Sequence, residues 1–402
     1  MPFTPLCVTW HSITLSAPSQ LQRATRAREG IYPLQVRTMD LNDELGQITH
    51  VFSDKTGTFT LNYMEFRKMS IGGVAYGRGT TCIGLDRMER EKQDTTEMKR
   101  IMAEAEAAQK ANVRAGRGSP PLPRPRAVAA AAGDWCLIMH VMSGAQPNRV
   151  EHVNFDDGTD VGSGRTLLGD LGGASGGAQA EAIHRSLLHM LLNHTVVPEV
   201  MKDDMGKEVG RRLSASSPDE EAFVCACQYF GYVFITRAGN MLIVEIKGVR
   251  QTFECVMILP YTQMRKRMGV VIRDPDGRLF LYVKGADSTL FERLRQSDTE
   301  SPEAAACLAT QRQLTVWGND GLRTLVFAYR PIADGEFARF RDEFMAANSD
   351  LTEKSRFDNK LMPNAVDNAM DAFESGLVLQ AATANEDKLQ VCCLVIARVL
   401  GC

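Results

Sequence analysis

The stretch VFSDKTGTFT, residues 51–60, decides how the rest of the chain is interpreted. The run Ile48–Phe52 contains β-branched and aromatic residues, which predict a buried strand that ends just before Asp54. Open α/β sheets place their ligands at the carboxyl ends of strands. A carboxylate at that place suits covalent phosphoryl transfer, with Asp54 as the nucleophile and Lys55 offsetting phosphate charge.

The same stretch predicts a magnesium site. Mg²⁺ prefers oxygen ligands, which Asp54 and Thr56 supply, and Gly57 lets the backbone turn closely beside them. An Asp-Lys-Thr-Gly turn after a strand is also an ordinary hydrophilic loop, so these four residues leave both interpretations open. The longer string is more specific, because an arbitrary five-residue string occurs in a chain of this size on the order of once in ten thousand sequences.

Residues 54–58, Asp-Lys-Thr-Gly-Thr, resemble the phosphorylation motif of P-type ATPases. The flanking segments 41–47 and 62–66 resemble the phospholipid-transporting (flippase) branch, although Phe59 stands where that family usually has Leu. The resemblance implies that ATP and Mg²⁺ are used to phosphorylate Asp54 transiently. It also implies a phospholipid substrate, an accessory flippase subunit, and a place at the cytosolic face of an integral membrane protein.

Composition excludes some classes of function. The chain has 402 residues, of which 44% are hydrophobic, so it can bury a sizeable core. Its net charge of -3 argues against a general nucleic-acid partner. The ten cysteines lack the spacing of zinc or disulfide frameworks. No run of 18 apolar residues occurs, so we expect no membrane span within this chain.

The predicted fold class is α/β: an incomplete, haloacid-dehalogenase-like, doubly wound phosphorylation domain with an inserted α/β nucleotide-binding domain that contains an antiparallel sheet. The inserted nucleotide-binding domain with its antiparallel sheet is inferred from the resemblance and from four successive predicted strands. The predicted segments are a poorly ordered lead-in (1–40), the first piece of the phosphorylation domain (41–66), the nucleotide-binding domain (67–375), the returning piece (376–390) and an atypical tail (391–402).

Within the nucleotide-binding domain we expect residues 86–180 to be a largely flexible insertion. It begins with a charged stretch, 86–111, that predicts a solvated helix, and continues with a proline- and arginine-rich linker, 114–126. The glycine-rich stretch 156–180 has little apolar content and is expected to be flexible too. Before it, Ile71–Tyr76 predicts a strand.

The predicted nucleotide contacts surround the four strands 241–246, 251–259, 268–274 and 279–284. Tyr261 lies in a basic loop, where its ring can stack on a purine while neighbouring cations meet phosphates. Lys284 ends the last of these strands, and Gly285 after it would free the lysine to reach into a cleft. Lys284–Asp287 resembles the nucleotide-domain signature of P-type ATPases, and Arg323 fits that family's nucleotide-contacting arginine.

Glu220 has two possible roles. Ser217, Pro218 and Glu220 have the pattern of a capping box at a helix start, which needs no ligand. In the flippases the corresponding glutamate also contacts nucleotide, so both roles remain open. His184, His189 and His194 are spaced by five residues on or beside a predicted helix, which favours ordinary surface or core histidines over metal ligands.

Two alternatives remain. A soluble phosphatase of the haloacid dehalogenase class also uses an aspartate at a strand end, but that class usually has a second Asp where Thr56 stands. The other is a non-catalytic ATP-binding fragment from a truncated gene model. It is suggested by the tail after Gln390, where the resemblance stops, and we expect a chain of this extent to be inactive by itself.

Overall fold

A computed structural model describes residues 57–96, 150–158, 165–202, 208–215, 217–296, 300–360 and 364–389, together with Phe52, Lys99 and Asp298. The larger of the two compact units of the chain is Tyr63–Lys388. Several predictions fall outside the described residues: those for Asp54, Lys55 and Thr56, for nearly all of the strand before them, and for the segments 1–40, 114–126 and 391–402.

The described part of the chain alternates irregularly between strands and helices. None of these helices is long and apolar enough to cross a membrane. In chain order the elements are β1 (Thr60–Ile71), β2 (Val74–Tyr76), α1 (Cys82–Arg90), α2 (Leu167–Leu171), α3 (Gly177–Leu192), β3 (Val197–Lys202), β4 (Glu208–Ser214), α4 (Pro218–Tyr229), β5 (Tyr232–Ala238), β6 (Met241–Ile246), β7 (Val249–Leu259), β8 (Arg267–Arg273), β9 (Leu279–Gly285), α5 (Asp287–Phe291), α6 (Pro302–Asn319), β10 (Arg323–Ile332), α7 (Asp334–Ser349), α8 (Leu351–Asp358), α9 (Ala365–Phe373) and β11 (Val378–Leu389).

A nine-stranded sheet organises the unit, in the order β2-β1-β11-β10-β9-β8-β7-β6-β5. From β5 to β11 along this order, every pair of neighbours is antiparallel. Strands β3 and β4 form a separate antiparallel pair. The predicted α/β class with an antiparallel sheet is therefore confirmed, whereas the doubly wound phosphorylation domain stays a prediction.

Helices cover both faces of the sheet, and strand periodicity decides which side chain meets which helix layer. Along β8, Val270 and Ile272 belong to the core beneath α3 and α4, whereas Val271 belongs to the core beneath α6 and α9. In β9, Tyr282 faces the first core and Val283 the second. Successive strand residues point to opposite faces, so a sheet buried on both sides has continuous apolar strands.

The strand predictions around the sheet centre are accurate. β6 has the predicted bounds, and β7, β8 and β9 differ from prediction by at most two residues at either end. The sequence also predicts helices over 302–317 and 334–345, and α6 and α7 begin at these first residues and extend beyond the predicted last ones. These segments share strong periodicity and clear turn residues, so local pattern and tertiary packing favour the same structure.

One prediction before residue 112 is wrong, and another is tested only in part. The strand predicted over Ile71–Tyr76 is the corner of the β1–β2 hairpin, because Gly72 and Gly73 adopt φ of +58° and +79°, which favour a turn. Helix α1 ends at Arg90 and a turn follows it, so the charged stretch 86–111 is not one continuous helix, but more than half of that stretch lies outside the described residues.

The glycine-rich stretch 156–180 is only partly described, and two of its carboxylates make hydrogen bonds to residues around it. Asp170 in α2 is 1% exposed and accepts hydrogen bonds from Tyr76 Oη at 2.6 Å and from Arg165 Nη2 at 2.7 Å. Asp157 Oδ1 accepts from Leu167 N at 2.6 Å at the start of α2. These polar contacts take the place of the missing apolar side chains, and the flexibility of the insertion stays a prediction.

Strand β11 lies beside β10, with Arg323 paired to Asn385 and Val326 to Ala382. The sheet therefore includes residues on the far side of the predicted boundary at 375/376, and β1 likewise crosses the boundary at 66/67. The division into a phosphorylation domain and an inserted domain remains a prediction.

A buried ion cluster fastens the loop before β8 to the end of α9. Glu374 is fully buried, accepts from Arg267 Nε at 2.5 Å, and also pairs with Arg265 Nη2. Both arginine side chains are 1% exposed. Asp371 pairs with Arg267 as well. Because a carboxylate joins two buried guanidinium groups here, the loop that contains Tyr261 has a rigid end.

We expect Glu374→Gln to lower the free energy of unfolding by about 3 kcal/mol, because it removes the buried carboxylate that Arg265 and Arg267 share and leaves them only the partly exposed Asp371. Denaturant unfolding of the purified chain measures the change. Glu303→Gln is the control: its ion pair with Arg295 is half exposed, and its loss should cost less than about 1 kcal/mol. Equal losses in both variants would contradict this account of the cluster.

A second prediction concerns pH. His189 is fully buried, with Nδ1 2.7 Å from Gln380 Oε1, and burial lowers its pKa from 6.5 to about 3. The unfolded chain binds the proton more readily than the folded chain does. Stability from neutral His189 is therefore fully present above about pH 6.5 and is lost as the pH falls toward 3.

Between pH 7 and pH 5 this one group should remove about 2 kcal/mol from the free energy of unfolding. In His189→Gln the decrease over that interval should be smaller than in the wild type by the same amount. Parallel pH profiles for the two chains would contradict the assignment.

Candidate functional site

Lys284 lies at the carboxyl end of β9, 6% exposed, on the sheet face covered by α3 and α4. Its Nζ donates to Glu220 Oε1 at 2.7 Å and to the Asn193 carbonyl at 2.6 Å. It also lies 5.9 Å from the ring centroid of Phe223. Strand alternation explains the direction, since Lys284 follows Tyr282 by two residues and shares its face.

Three elements supply the surroundings of this ammonium group. Asn193 follows the last residue of α3, so the cation meets a carbonyl at the negative end of a helix. Glu220 lies in the first turn of α4, and its Oε2 accepts from Thr195 N at 2.8 Å and Thr195 Oγ1 at 2.7 Å. Both carboxylate oxygens of Glu220 therefore have partners. These partners are Lys284 and Thr195, not the backbone N–H groups at the start of α4.

The capping box predicted at Ser217 is accordingly wrong. Ser217 is the N-cap residue of α4, but its side chain makes no capping hydrogen bond, and Glu220 turns toward Thr195 and Lys284 instead. A buried ammonium group needs a counter-charge more than the half-buried start of α4 needs a second acceptor. Of the two roles left open by the sequence, the capping box is not formed, and the nucleotide contact stays a prediction.

Burial and pairing act against each other on these two groups. Burial raises the pKa of Glu220, but the nearby Lys284 ammonium and the hydrogen bonds from Thr195 together lower it by more. The pKa of Glu220 therefore lies below its ordinary value. Burial also lowers the pKa of Lys284, and Glu220 opposes that change. The direction for Glu220 follows from the geometry, since a carboxylate with three close donors is best stabilised when ionised.

Glycine at position 285 has a different role from the one predicted. Gly285 pairs with Arg267 across β8 and β9, and a Cβ at position 285 would lie 2.5 Å from Arg267 Cβ and 2.6 Å from the Lys266 carbonyl oxygen. The glycine therefore lets the β7–β8 loop approach the end of β9. Lys284 does not extend into solvent but is held inside by Glu220.

Arg323 begins β10 at the same edge of the sheet. Its side chain is 47% exposed, and Nη2 lies 3.3 Å from Asp219 Oδ2. Asp219 Oδ1 in turn accepts from Asn385 Nδ2 in β11 at 3.0 Å. Asp219 and Glu220 are consecutive, so the first turn of α4 contacts both predicted cations.

Tyr261 is 60% exposed in the loop between β7 and β8. The register, in which Gly285 pairs with both Arg267 and Val326, puts this loop, the end of β9 and the start of β10 at one edge of the sheet. Among the described contacts, none joins Tyr261 to Glu220, Lys284 or Arg323. The four described site residues thus share an edge, but only Glu220 and Lys284 touch.

The sequence missed three residues of this arrangement: Thr195, Asp219 and Asn385. Their roles depend on contacts between residues more than 20 positions apart in the chain, which no local pattern indicates. Fourteen buried side-chain polar atoms of the described residues have no hydrogen-bond partner, and some of them lie near this edge. Within the described residues, His194 Nε2 and Asn385 Oδ1 are buried and have no hydrogen-bond partner.

Unpaired buried polar atoms are uncommon in folded proteins and indicate a place for water or a ligand. Burial lowers the pKa of His194 to about 3, so its ring is neutral and can both accept and donate. No group of three or more His, Cys, Asp or Glu within the described residues could hold a metal ion. Asp54 and Thr56, the predicted magnesium ligands, lie outside them.

The chain is similar to several phospholipid-transporting ATPases. It is 35% identical over 364 residues to phospholipid-transporting ATPase 10 of Arabidopsis thaliana, covering 89% of this chain and 25% of the relative. It is 30% identical to phospholipid-transporting ATPase DNF1 of Saccharomyces cerevisiae and 28% identical to phospholipid-transporting ATPase IC of Homo sapiens, covering 21% and 22% of those proteins. The chain thus spans about a quarter of the length of these relatives.

A family model described as P-type ATPase, cytoplasmic domain N, matches residues 185–391, about half of the chain. The match begins within α3 and includes Glu220, Tyr261, Lys284 and Arg323. The antiparallel sheet with its paired lysine lies almost wholly inside it. The chain belongs to the P-type ATPase family and contains the cytoplasmic domain N of that family.

Proposed function

We propose that the chain is the cytosolic portion of an ATP-driven phospholipid translocase. In this proposal the edge of the sheet at Lys284 binds ATP, and Asp54 accepts its γ-phosphoryl group. The observation that supports it most directly is the buried Lys284–Glu220 pair, which lies beside unpaired buried polar atoms and a half-exposed Arg323. We infer phospholipid as the transported substrate from the names of the relatives.

Each residue at the edge has a stated role in this proposal. Tyr261, exposed on its loop, stacks on the purine. Lys284 donates to the nucleotide in exchange for, or in addition to, the Asn193 carbonyl, while Glu220 holds the lysine in place. The half-exposed guanidinium of Arg323 binds phosphate oxygens, for which its planar donors are suited.

The phosphoryl acceptor belongs to the predicted phosphorylation motif. Asp54 attacks the γ-phosphorus, ADP leaves, and the acyl phosphate formed on Asp54 is later hydrolysed, which restores the carboxylate. Lys55 offsets phosphate charge. Carboxylate and hydroxyl oxygens of Asp54 and Thr56 are the hard ligands that Mg²⁺ prefers, and the metal would neutralise phosphate charge during transfer. An accessory subunit belongs to the proposal through the family resemblance alone.

Isothermal titration of the purified chain with ATP tests the binding site. We expect Lys284→Ala to weaken ATP binding by roughly tenfold to a hundredfold, because a charge-assisted hydrogen bond is worth about 1.5–3 kcal/mol. Lys354→Ala is the matched control, since Lys354 is an exposed lysine on α8. Failure of the wild type to bind ATP, or equal binding by Lys284→Ala, would reject the site.

The acceptor is tested in a translocase that includes this chain, incubated with Mg²⁺ and γ-labelled ATP. Acid-stable label should appear on the protein and should be lost in Asp54→Asn, because an amide cannot attack the phosphorus as a carboxylate does. Asp43→Asn, which changes a nearby aspartate of the same segment, should retain the label. Label that persists in Asp54→Asn would remove Asp54 from the mechanism.

A further inference from the structure

We propose that Asp320 is a positioning residue: by docking helix α1 against the turn before β10, it holds Arg323 in place for the phosphates of a bound nucleotide. The inference rests on the proposed ATP site but concerns residues that contact no nucleotide. It starts from a buried carboxylate at the end of α6 whose partners all come from one other element.

Asp320 is 5% exposed and follows the last residue of α6. Its Oδ1 accepts from Arg87 Nη2 at 2.7 Å, its Oδ2 accepts from Thr80 Oγ1 at 3.1 Å, and its carbonyl oxygen accepts from Thr81 Oγ1. The three donors lie in α1 or directly before it. One residue therefore fixes α1 to the α6–β10 turn, although about 230 residues of chain separate them.

Close packing at two glycines supports the same contact. A Cβ at Gly84 in α1 would lie 2.9 Å from Asp320 Cγ, and a Cβ at Gly321 would lie 2.7 Å from Ile83 Cδ1. Gly321 also has φ of +76°, which glycine adopts without strain. Each glycine thus leaves room for a side chain of the facing segment, Gly84 for that of Asp320 and Gly321 for that of Ile83.

The path from Asp320 to Arg323 is short and stiff. Leu322 is 6% exposed in the core beneath α6, and its N donates to the Trp317 carbonyl at 3.0 Å. Arg323 then begins β10, paired with Asn385, with its guanidinium directed to Asp219. Because only Gly321 and Leu322 intervene, a shift of Asp320 moves the Cα of Arg323 and alters the direction of its side chain.

Helix α1 has its own N-terminal cap, so it docks as a formed unit. Thr81 Oγ1 accepts from Gly84 N at 3.0 Å while donating to the Asp320 carbonyl. The hydrogen bond to Asp320 raises the pKa of Arg87, which keeps that donor charged. Loss of the Asp320 side chain would remove two of the three bonds and leave the turn held mainly by Leu322.

The test is a double-mutant cycle on nucleotide binding by the purified chain, measured by titration calorimetry with ATP and, in parallel, with adenosine. We expect Asp320→Ala to weaken ATP binding roughly fivefold and to leave adenosine binding unchanged, since only phosphate contacts depend on Arg323. In the Arg323→Ala background, Asp320→Ala should cause no further loss of ATP affinity, because coupled residues are not additive. Glu303→Gln, at the other end of α6, is the control and should bind as the wild type does.

A second variant guards against failure to fold. Thr80→Val keeps the side-chain shape and removes only the hydroxyl that donates to Asp320 Oδ2, without touching the N-terminal cap of α1, so it should reproduce the phosphate-selective loss to a smaller extent. Equal losses for ATP and adenosine, or additive losses in the cycle, would overturn the positioning role and leave the proposed ATP site intact. A wild-type chain that does not bind ATP would instead reject the proposed function, and this inference with it.

Discussion

The site depends on the burial of one ammonium group, that of Lys284. An unpaired buried charge is strongly unfavourable, and replacing either member of a buried pair leaves the other without compensation. The lysine is satisfied by Glu220 from α4 and by the carbonyl of Asn193 at the end of α3. Because its partners come from two helices and it lies on the sheet, the pair fixes the positions of three elements at once.

The antiparallel sheet then brings the other site residues to the same edge. The β7–β8 loop, the end of β9 and the start of β10 are separated by tens of residues, but the register of β8, β9 and β10 aligns them. Gly285 permits the β7–β8 loop to approach the end of β9 closely, and the ion pairs of Glu374 hold the end of this loop. The contact between Asp320 and Arg87 restrains the turn between α6 and β10 in a comparable way.

Much of the fold could be predicted from the sequence where local and tertiary preferences agree. Strands β6 to β9 have β-branched, apolar stretches ended by turn residues, and their bounds were nearly correct. The β1–β2 hairpin was misread, since an apolar run interrupted by two glycines resembles a continuous strand until their φ angles are known. The contact of Asp170 with Tyr76 could not be predicted, because the two residues are distant in the chain and leave no periodic pattern.

The sequence by itself determined the chemistry available to this protein: the motif at Asp54, the identities of Tyr261, Lys284 and Arg323, and the resemblance to a family that the comparison of residues 185–391 bears out. Only the tertiary structure decided which groups meet. Glu220 could have capped its own helix, and its local pattern favoured that role. It pairs with Lys284 instead, because folding buries that ammonium group, and the free energy of an uncompensated buried charge outweighs that of a helix cap.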